Sequence, residues 1–430
     1  MRLNEWLNRE GDTGLRGKEC SFHMRNVAKK LLLILFSTFI SLVICEIALR
    51  LLGHKYSGST YTADPLLGWS LRPGASAWEA DEGLAWTRIN SHGYRDRERT
   101  AIKPWNVYRV AVLGDSYTEA RQVEMDKMFT SLAEDELNRR HCCGERKVEV
   151  LNFGIPGYGT GQELLLLRER VWNFCPDMIV LQFYSGNDIF NNHRALNINS
   201  CDMAPYFLLR NGKLELDESF RQGRAFDPTF IKLKGIGADI MNSFVLLQMV
   251  YKLRRLSAQR EEVARVKTEG QTVAQTDPNA PPPEYQRYLA FLPPAIPPMV
   301  EAWQVTEGLI SEIHKEVRSH NVPLLIMILP TTHQIRHDPK EHEAYRVKYK
   351  IESLEYADDR VEQHASANGI PILRMSKPLI EEARRTGTYM AGFANTAPNE
   401  GHFNERGHVV IARELVHAIC EIAASRAASK

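Results

Sequence analysis

The sequence predicts an α/β fold, a three-layer α/β/α sandwich with a mainly parallel sheet, preceded by an N-terminal transmembrane helix. Three observations support this prediction. Apolar strands alternate with single amphipathic helices from residue 107 onward, as in βαβ units. Polar, glycine-rich segments follow three of these strands. A long apolar run, with no charge over its first fifteen residues, lies near the N-terminus.

The composition is that of an ordinary globular protein. The chain has 430 residues, a formal net charge of +1, 43% hydrophobic and 25% charged residues. That length suits one large domain with an accessory region. The balanced charge gives no sign of a nucleic-acid or acidic-polymer partner.

Residues 31–52 are predicted to form a transmembrane signal anchor. "LLLILFSTFISLVIC", Leu31 to Cys45, carries no charge, and its continuation to residue 52 reaches bilayer-spanning length. Arg25, Lys29 and Lys30 precede it and predict a cytoplasmic segment 1–30, with the remainder periplasmic. A cleaved signal peptide and a buried core helix are the alternatives. The former lacks a small-x-small cleavage site.

The segment 53–106 is rich in Gly, Pro and Trp and is predicted to be an irregular or β-rich lead-in. The α/β domain is expected over 107–430, interrupted by an insertion at about 193–298. Within the insertion, the polar, proline-rich tract at about 258–296 is predicted to be disordered.

Five strands and five helices are predicted in the α/β domain. The strands are "YRVAVLG", "KVEVLNFG", "DMIVLQFY", "VPLLIMILP" and "IPILRM". The helices are "DKMFTSLAEDELNRR", "GQELLLLRERVWNF", one from about residue 300, a long one over 341–367, and a last one from about residue 406.

The segments that carry candidate catalytic residues lie where strands end. "GDS" follows the first strand, "NFGIPGYGTG" the second and "SGND" the third, and "NEGHFNERGH" precedes the last helix. In such sheets, sites form at the carboxyl ends of the strands. A hydroxyl, backbone N–H groups, an amide and an imidazole are what acyl transfer requires. The alternatives are a serine in a simple turn and a dinucleotide loop, whose glycine spacing is not matched.

These four segments, in this order, resemble the motif blocks of the SGNH/GDSL hydrolase superfamily over Val107 to about residue 424. The resemblance implies that Ser116 is the nucleophile and His402 the general base. It also implies that the backbone N–H of Gly157 and the side-chain amide of Asn187 stabilise the oxyanion. The sequence departs from the family pattern at Tyr117, where leucine is frequent, and at residue 185, where glycine is usual.

The acid that orients His402 is ambiguous. Family members often carry Asp three residues before the histidine, but Asn399 stands there. Glu400, two residues before His402, is therefore the predicted acid, with Asn399 as a loop-shaping neighbour.

The resemblance implies a serine esterase acting on acyl esters, such as O-acetyl esters, of envelope carbohydrate or lipid. It implies no cofactor and no metal, and it leaves open whether water or a second alcohol accepts the acyl group. The alternative is a catalytically silent glycan-binding or assembly module. The seven cysteines cannot all pair internally, and their spacing fits no zinc site.

Overall fold

The computed structural model describes residues 4–197, 203–258, 260, 288–336 and 338–428. The first helix, α1, covers Asn4–Leu51. Its part Asn26–Leu51 is long and apolar enough to cross a membrane, and its apolar side chains are exposed. That length and exposure fit the predicted anchor, and a signal sequence would pass the same test.

The lead-in contains two antiparallel hairpins. The first pairs β1 (Tyr61–Asp64) with β2 (Gly68–Leu71), and the second pairs β3 (Ser76–Glu79) with β4 (Ala85–Arg88). The turn of the second hairpin is the segment 80–84, and it contributes to the candidate site.

A five-stranded sheet, parallel throughout, forms the centre of the domain. Its strands are β5 (Val107–Gly114), β6 (Lys147–Gly154), β7 (Met178–Tyr184), β10 (Leu324–Leu329) and β11 (Ile372–Arg374). They lie in the order β11-β10-β7-β5-β6. The chain passes from β5 to β6 on one side and then to β7 on the other. The topological switch point is therefore at the end of β5, where a ligand crevice is expected.

Two helical layers cover the sheet, which confirms the predicted sandwich. One layer consists of α3 (Phe129–Arg140), α11 (Ser376–Thr386) and α12 (Glu405–Ala428). The other consists of α4 (Thr160–Glu169), α8 (Pro297–Ser319) and α10 (Tyr356–Ala367). Each layer packs an apolar core against one face of the sheet, which is why the strands are apolar on both faces.

Two short helices, α2 (Ser116–Glu119) and α5 (Asp188–Asn191), follow β5 and β7. The single long helix predicted over 341–367 is wrong. The chain forms α9 (Pro339–Tyr349) and then α10, because Lys350 adopts a left-handed φ of 55° that ends the first helix.

The described part of the insertion is ordered into a hairpin and two helices. Strands β8 (Tyr206–Arg210) and β9 (Lys213–Asp217) pair antiparallel, and α6 (Pro228–Ser243) is followed by α7 over residues 245–258. Most of the tract predicted to be disordered, 258–296, lies outside the described residues.

Cys142 and Cys420 form a disulfide across 278 residues of sequence, with a Cα–Cα distance of 5.1 Å. It joins the turn after α3 to the neighbouring helix α12. Disulfides form and persist mainly in oxidising compartments.

Candidate active site

Ser116 lies at the switch point, on the first residue of α2. All eight residues of β5 are buried, and the strand ends at Gly114. Asp115 caps α2, because its carboxylate accepts a hydrogen bond from the Tyr117 N–H at 2.9 Å. A Cβ on Gly114 would lie 2.3 Å from the Thr118 hydroxyl, so only glycine permits this tight turn. The turn leaves Ser116 half-buried.

His402 contacts Ser116 through one ring nitrogen. Its Nε2 lies 2.8 Å from the Ser116 Oγ, and its Nδ1 lies 2.6 Å from a carboxylate oxygen of Glu82. An ionised carboxylate only accepts hydrogen bonds, so Nδ1 carries the proton. Nε2 of the neutral ring is then an acceptor for the Ser116 hydroxyl, as a general base requires.

Glu82 makes two contacts with His402. Its second carboxylate oxygen accepts a hydrogen bond from the His402 backbone N–H. Burial raises the pKa of Glu82, but the hydrogen bonds and charge of His402 outweigh that effect and hold the pKa below its ordinary value. Glu82 is therefore ionised at neutral pH and stabilises a charged imidazolium.

The turn that carries Glu82 is held by several contacts. The Glu79 carboxylate accepts hydrogen bonds from the backbone N–H groups of Asp81 and Glu82, at 2.9 and 3.2 Å. Asn395 exchanges two hydrogen bonds of 2.9 Å with the backbone of Gly83. Asp81 also forms ion pairs with two side chains of α7, Lys252 at 3.3 Å and Arg255.

The structure corrects the assignment of Glu400 as the orienting acid. Glu400 is exposed, and both carboxylate contacts of His402 are made by Glu82. The residues on either side of Glu400, Asn399 and Gly401, have left-handed φ values of 56° and 75°. A Cβ on Gly401 would lie 1.9 Å from Glu82 Oε1, so glycine there allows Glu82 to approach.

Sequence reasoning missed Glu82 because it lies 320 residues before His402 and outside the four motif blocks. The available signal was weak. It consisted of the glycine at 401, which indicates that some group approaches the backbone closely, and two adjacent acidic residues in one short turn of the lead-in.

The two predicted oxyanion donors lie at the same edge of the sheet as Ser116. The Asn187 amide donates one hydrogen to Asp115 Oδ2 at 3.0 Å, which leaves its second hydrogen for a ligand. Gly157 follows β6, whose Gly154 is the neighbour of Gly114 in the sheet. Gly157 has a φ of 75°. Their roles as donors stay predictions.

Two further side chains shape the site. Tyr117 donates a hydrogen bond to the Gly401 carbonyl at 3.1 Å, and its ring lies 4.6 Å from the His402 ring. Trp69, from the first lead-in hairpin, donates to the Pro156 carbonyl at 2.8 Å. Its ring would lie 3.4 Å from a Cβ on Gly157, so Trp69 borders the loop that carries the predicted donor.

Three fully buried carboxyls lie close to the nucleophile turn. Burial raises the pKa of Glu119 to about 7. Burial also raises the pKa of Glu163 and of Asp188 well above the usual value. The charge of Asp115 raises both pKa values further, and that of Glu163 raises the pKa of Asp188. His408 is buried as well, and burial lowers its pKa to about 3.

No protein-family model and no curated protein matches the chain. Solved structures that resemble it include a GDSL-like lipase from Bacteroides thetaiotaomicron, at 14% identity, TM-score 0.32, covering 73% of this chain and 88% of that one. Another is a lipase/acylhydrolase from Enterococcus faecalis, at 14% identity, TM-score 0.33 and coverages of 73% and 96%. A third is an acetyl xylan esterase, at 11% identity, TM-score 0.35 and coverages of 72% and 99%.

With TM-scores below 0.5 these structures serve only as comparisons, and the assignment of the fold rests on the sheet and the motifs. Five parallel strands lie in the order of a doubly wound sheet, with the GDS, glycine and asparagine blocks after β5, β6 and β7. The histidine block precedes α12 and reaches the same edge. The strand order confirms the predicted three-layer α/β/α fold, and the four motif blocks lie at one edge of its sheet.

Proposed function

We propose that the protein is a serine-dependent hydrolase of carboxylic esters. The observation that carries the proposal is the continuous contact from Glu82 through His402 to Ser116, at 2.6 and 2.8 Å. With Glu82 ionised and the proton of the neutral His402 ring on Nδ1, the site meets the requirements of nucleophilic catalysis. All three residues are half-buried and lie at the switch point of the sheet.

The proposed mechanism follows from these contacts. Ser116 Oγ attacks the ester carbonyl while His402 Nε2 accepts its proton, and the Glu82 carboxylate stabilises the resulting imidazolium. His402 then gives the proton to the leaving alcohol. Water, activated by His402 in the same way, releases the acid and regenerates Ser116. A second alcohol in place of water would make the same site an acyltransferase.

The oxyanion is proposed to be stabilised by the N–H groups of Ser116 and Gly157 and by the free hydrogen of the Asn187 amide. The contact between Asn187 and Asp115 supports this role, because it fixes the amide beside the nucleophile turn. Loss of one such donor costs roughly 10²- to 10³-fold in kcat in a well-studied protease.

The substrate class we propose is an acyl ester, such as an O-acetyl ester, of envelope carbohydrate or lipid. It is supported by the exposed apolar helix α1, which would anchor the domain at a membrane, and by the Cys142–Cys420 disulfide, which fits an oxidising compartment. The orientation we propose places residues 53–430 in the periplasm.

Alkaline phosphatase fused after Lys430 tests this orientation. We expect an active reporter, because that enzyme requires export to an oxidising compartment. A stably expressed but inactive fusion, combined with an active cytoplasmic reporter at the same position, would contradict the proposed topology.

The activity itself is tested with the purified full chain in detergent, on short p-nitrophenyl esters, and by covalent labelling with a fluorophosphonate. Hydrolysis together with labelling is the expected result. A folded protein that neither turns over any ester nor takes up the label would favour the silent binding module instead.

A further inference from the structure

The apolar run of α1 ends with two charged residues, and the structure gives both of them a partner in the insertion. Arg50 donates a hydrogen bond to the Ser243 carbonyl at 2.7 Å, at the last residue of α6. The Glu46 carboxylate accepts from the N–H groups of Val245 and Leu246, at 3.0 and 2.8 Å, in the first turn of α7.

These contacts cap two helix ends with charges of the appropriate sign. The last carbonyls of a helix and the first N–H groups of the next have no partner within their own helices. A cation suits the former end and an anion the latter, because of the helix dipole. The α6–α7 junction is thus fixed to the final turn of α1. If α1 spans the bilayer as proposed, the junction lies at the level of the lipid headgroups.

From that junction an apolar stripe extends along both helices. Six apolar side chains at helical spacing are each between 42% and 61% exposed. They are Leu233, Ile236, Ile240, Phe244, Leu247 and Val250. We call these six residues the α6–α7 face. Several exposed apolar side chains at this spacing on a helix pair indicate a binding surface rather than chance exposure.

The charge of the two helices favours a lipid partner. Residues 228–258 contain five basic residues, at 232, 234, 252, 254 and 255, and a single acidic residue, Asp239. Lys252 and Arg255 pair with Asp81, so the attraction to anionic lipid would come from the other three. Apolar side chains flanked by Lys and Arg are typical of helices that lie in the interface of a membrane with anionic lipids.

We propose that the α6–α7 face lies on the bilayer surface beside the anchor, with its apolar side chains in contact with the outer edge of the acyl chains. The inference rests on the proposed anchoring by α1. Lys252 and Arg255 on α7 bind Asp81, the residue before Glu82, so this surface would also fix the position of the catalytic turn relative to the membrane.

The test uses the full chain in nanodiscs containing anionic lipid, with single cysteines carrying an environment-sensitive fluorophore. Cys20, Cys45, Cys175 and Cys201 are first replaced by serine, and the buried free Cys143 by alanine. Labels are placed at Ile240→Cys and Leu247→Cys on the face, and at Phe36→Cys on α1 as the positive control. Ile102→Cys, 87% exposed in the lead-in, is the matched control. Lipids with a nitroxide in the acyl chain are the quencher.

We expect labels at 240 and 247 to lose emission nearly as strongly as the label at 36, while the label at 102 stays unquenched. Quenching at 36 with none at 240 and 247 would overturn the inference and leave the anchor in place. No quenching at 36 would show that the anchoring itself fails, and the inference with it. Cross-linking of two copies through position 240 would assign the face to self-association and also overturn it. Ester hydrolysis on the same samples reports the proposed activity independently.

Discussion

Replacing Glu82 by glutamine should lower kcat for ester hydrolysis by about 10³- to 10⁴-fold, the scale of the corresponding acid-to-amide change in a serine protease. Glu82 accepts two hydrogen bonds from His402, one from Nδ1 and one from the backbone N–H. A glutamine side chain offers one acceptor oxygen and one NH₂ group, so it satisfies only one of them. With its NH₂ group against Nδ1, the imidazole proton moves to Nε2, and the acceptor for Ser116 is lost.

The matched control is Glu400→Gln, the same substitution at an exposed position two residues from His402. We expect it to change kcat less than about threefold, since surface substitutions away from partners have small effects. Initial rates on a p-nitrophenyl ester, with thermal unfolding of each variant, separate catalytic loss from misfolding. Reversed losses in the two folded variants would restore Glu400 as the orienting acid.

Replacing Ser116 by alanine should abolish turnover, with a loss on the order of 10⁶ in kcat, as found when the nucleophile of a serine protease is removed. The variant removes only an oxygen from a half-buried side chain, so we expect the fold and thermal stability to be retained. Fluorophosphonate labelling should disappear together with hydrolysis, since both depend on the same Oγ.

The chain offers a matched control for this variant. Ser311 on α8 is half-buried, like Ser116. Its hydroxyl likewise contacts a histidine Nε2, that of His364, at 2.9 Å. Ser311 is not at the switch point, and its Oγ also donates to the Glu307 carbonyl in its own helix. Ser311→Ala should retain full activity and labelling. Unchanged hydrolysis by a folded Ser116→Ala variant would return Ser116 to the role of a turn residue.

The central sheet was predictable because its strands are predominantly apolar and are separated by helices. Ser116 and Asn187 could be predicted equally well, because each lies just after a strand that the hydrophobic pattern identifies. Parallel strands bring such residues to one edge whatever the loop details. The prediction fails where a local backbone conformation determines the end of a helix. Lys350 is the example, because its left-handed φ divides the predicted long helix.

Glu82 could not be found in this way, because nothing periodic connects the lead-in hairpin to the loop before α12. Its approach to His402 depends on tertiary contacts of its turn with Asn395 and α7, which a single sequence does not reveal. Proximity in sequence favoured Glu400, and the left-handed residues on either side of it determine the actual path of that loop.

The separation of Glu82 from His402 also has a consequence for biosynthesis. The two residues are 320 positions apart, with the nucleophile between them. At roughly 5–20 residues per second, about 16 to 64 seconds pass between synthesis of the first member and the last. The proposed catalytic site is therefore complete only when the residues just before the final helix have been made. The cross-link between Cys142 and Cys420 must wait for that helix itself. Under the proposed topology, ester hydrolysis and the closed disulfide would both report that the C-terminal region has reached the outer side of the membrane.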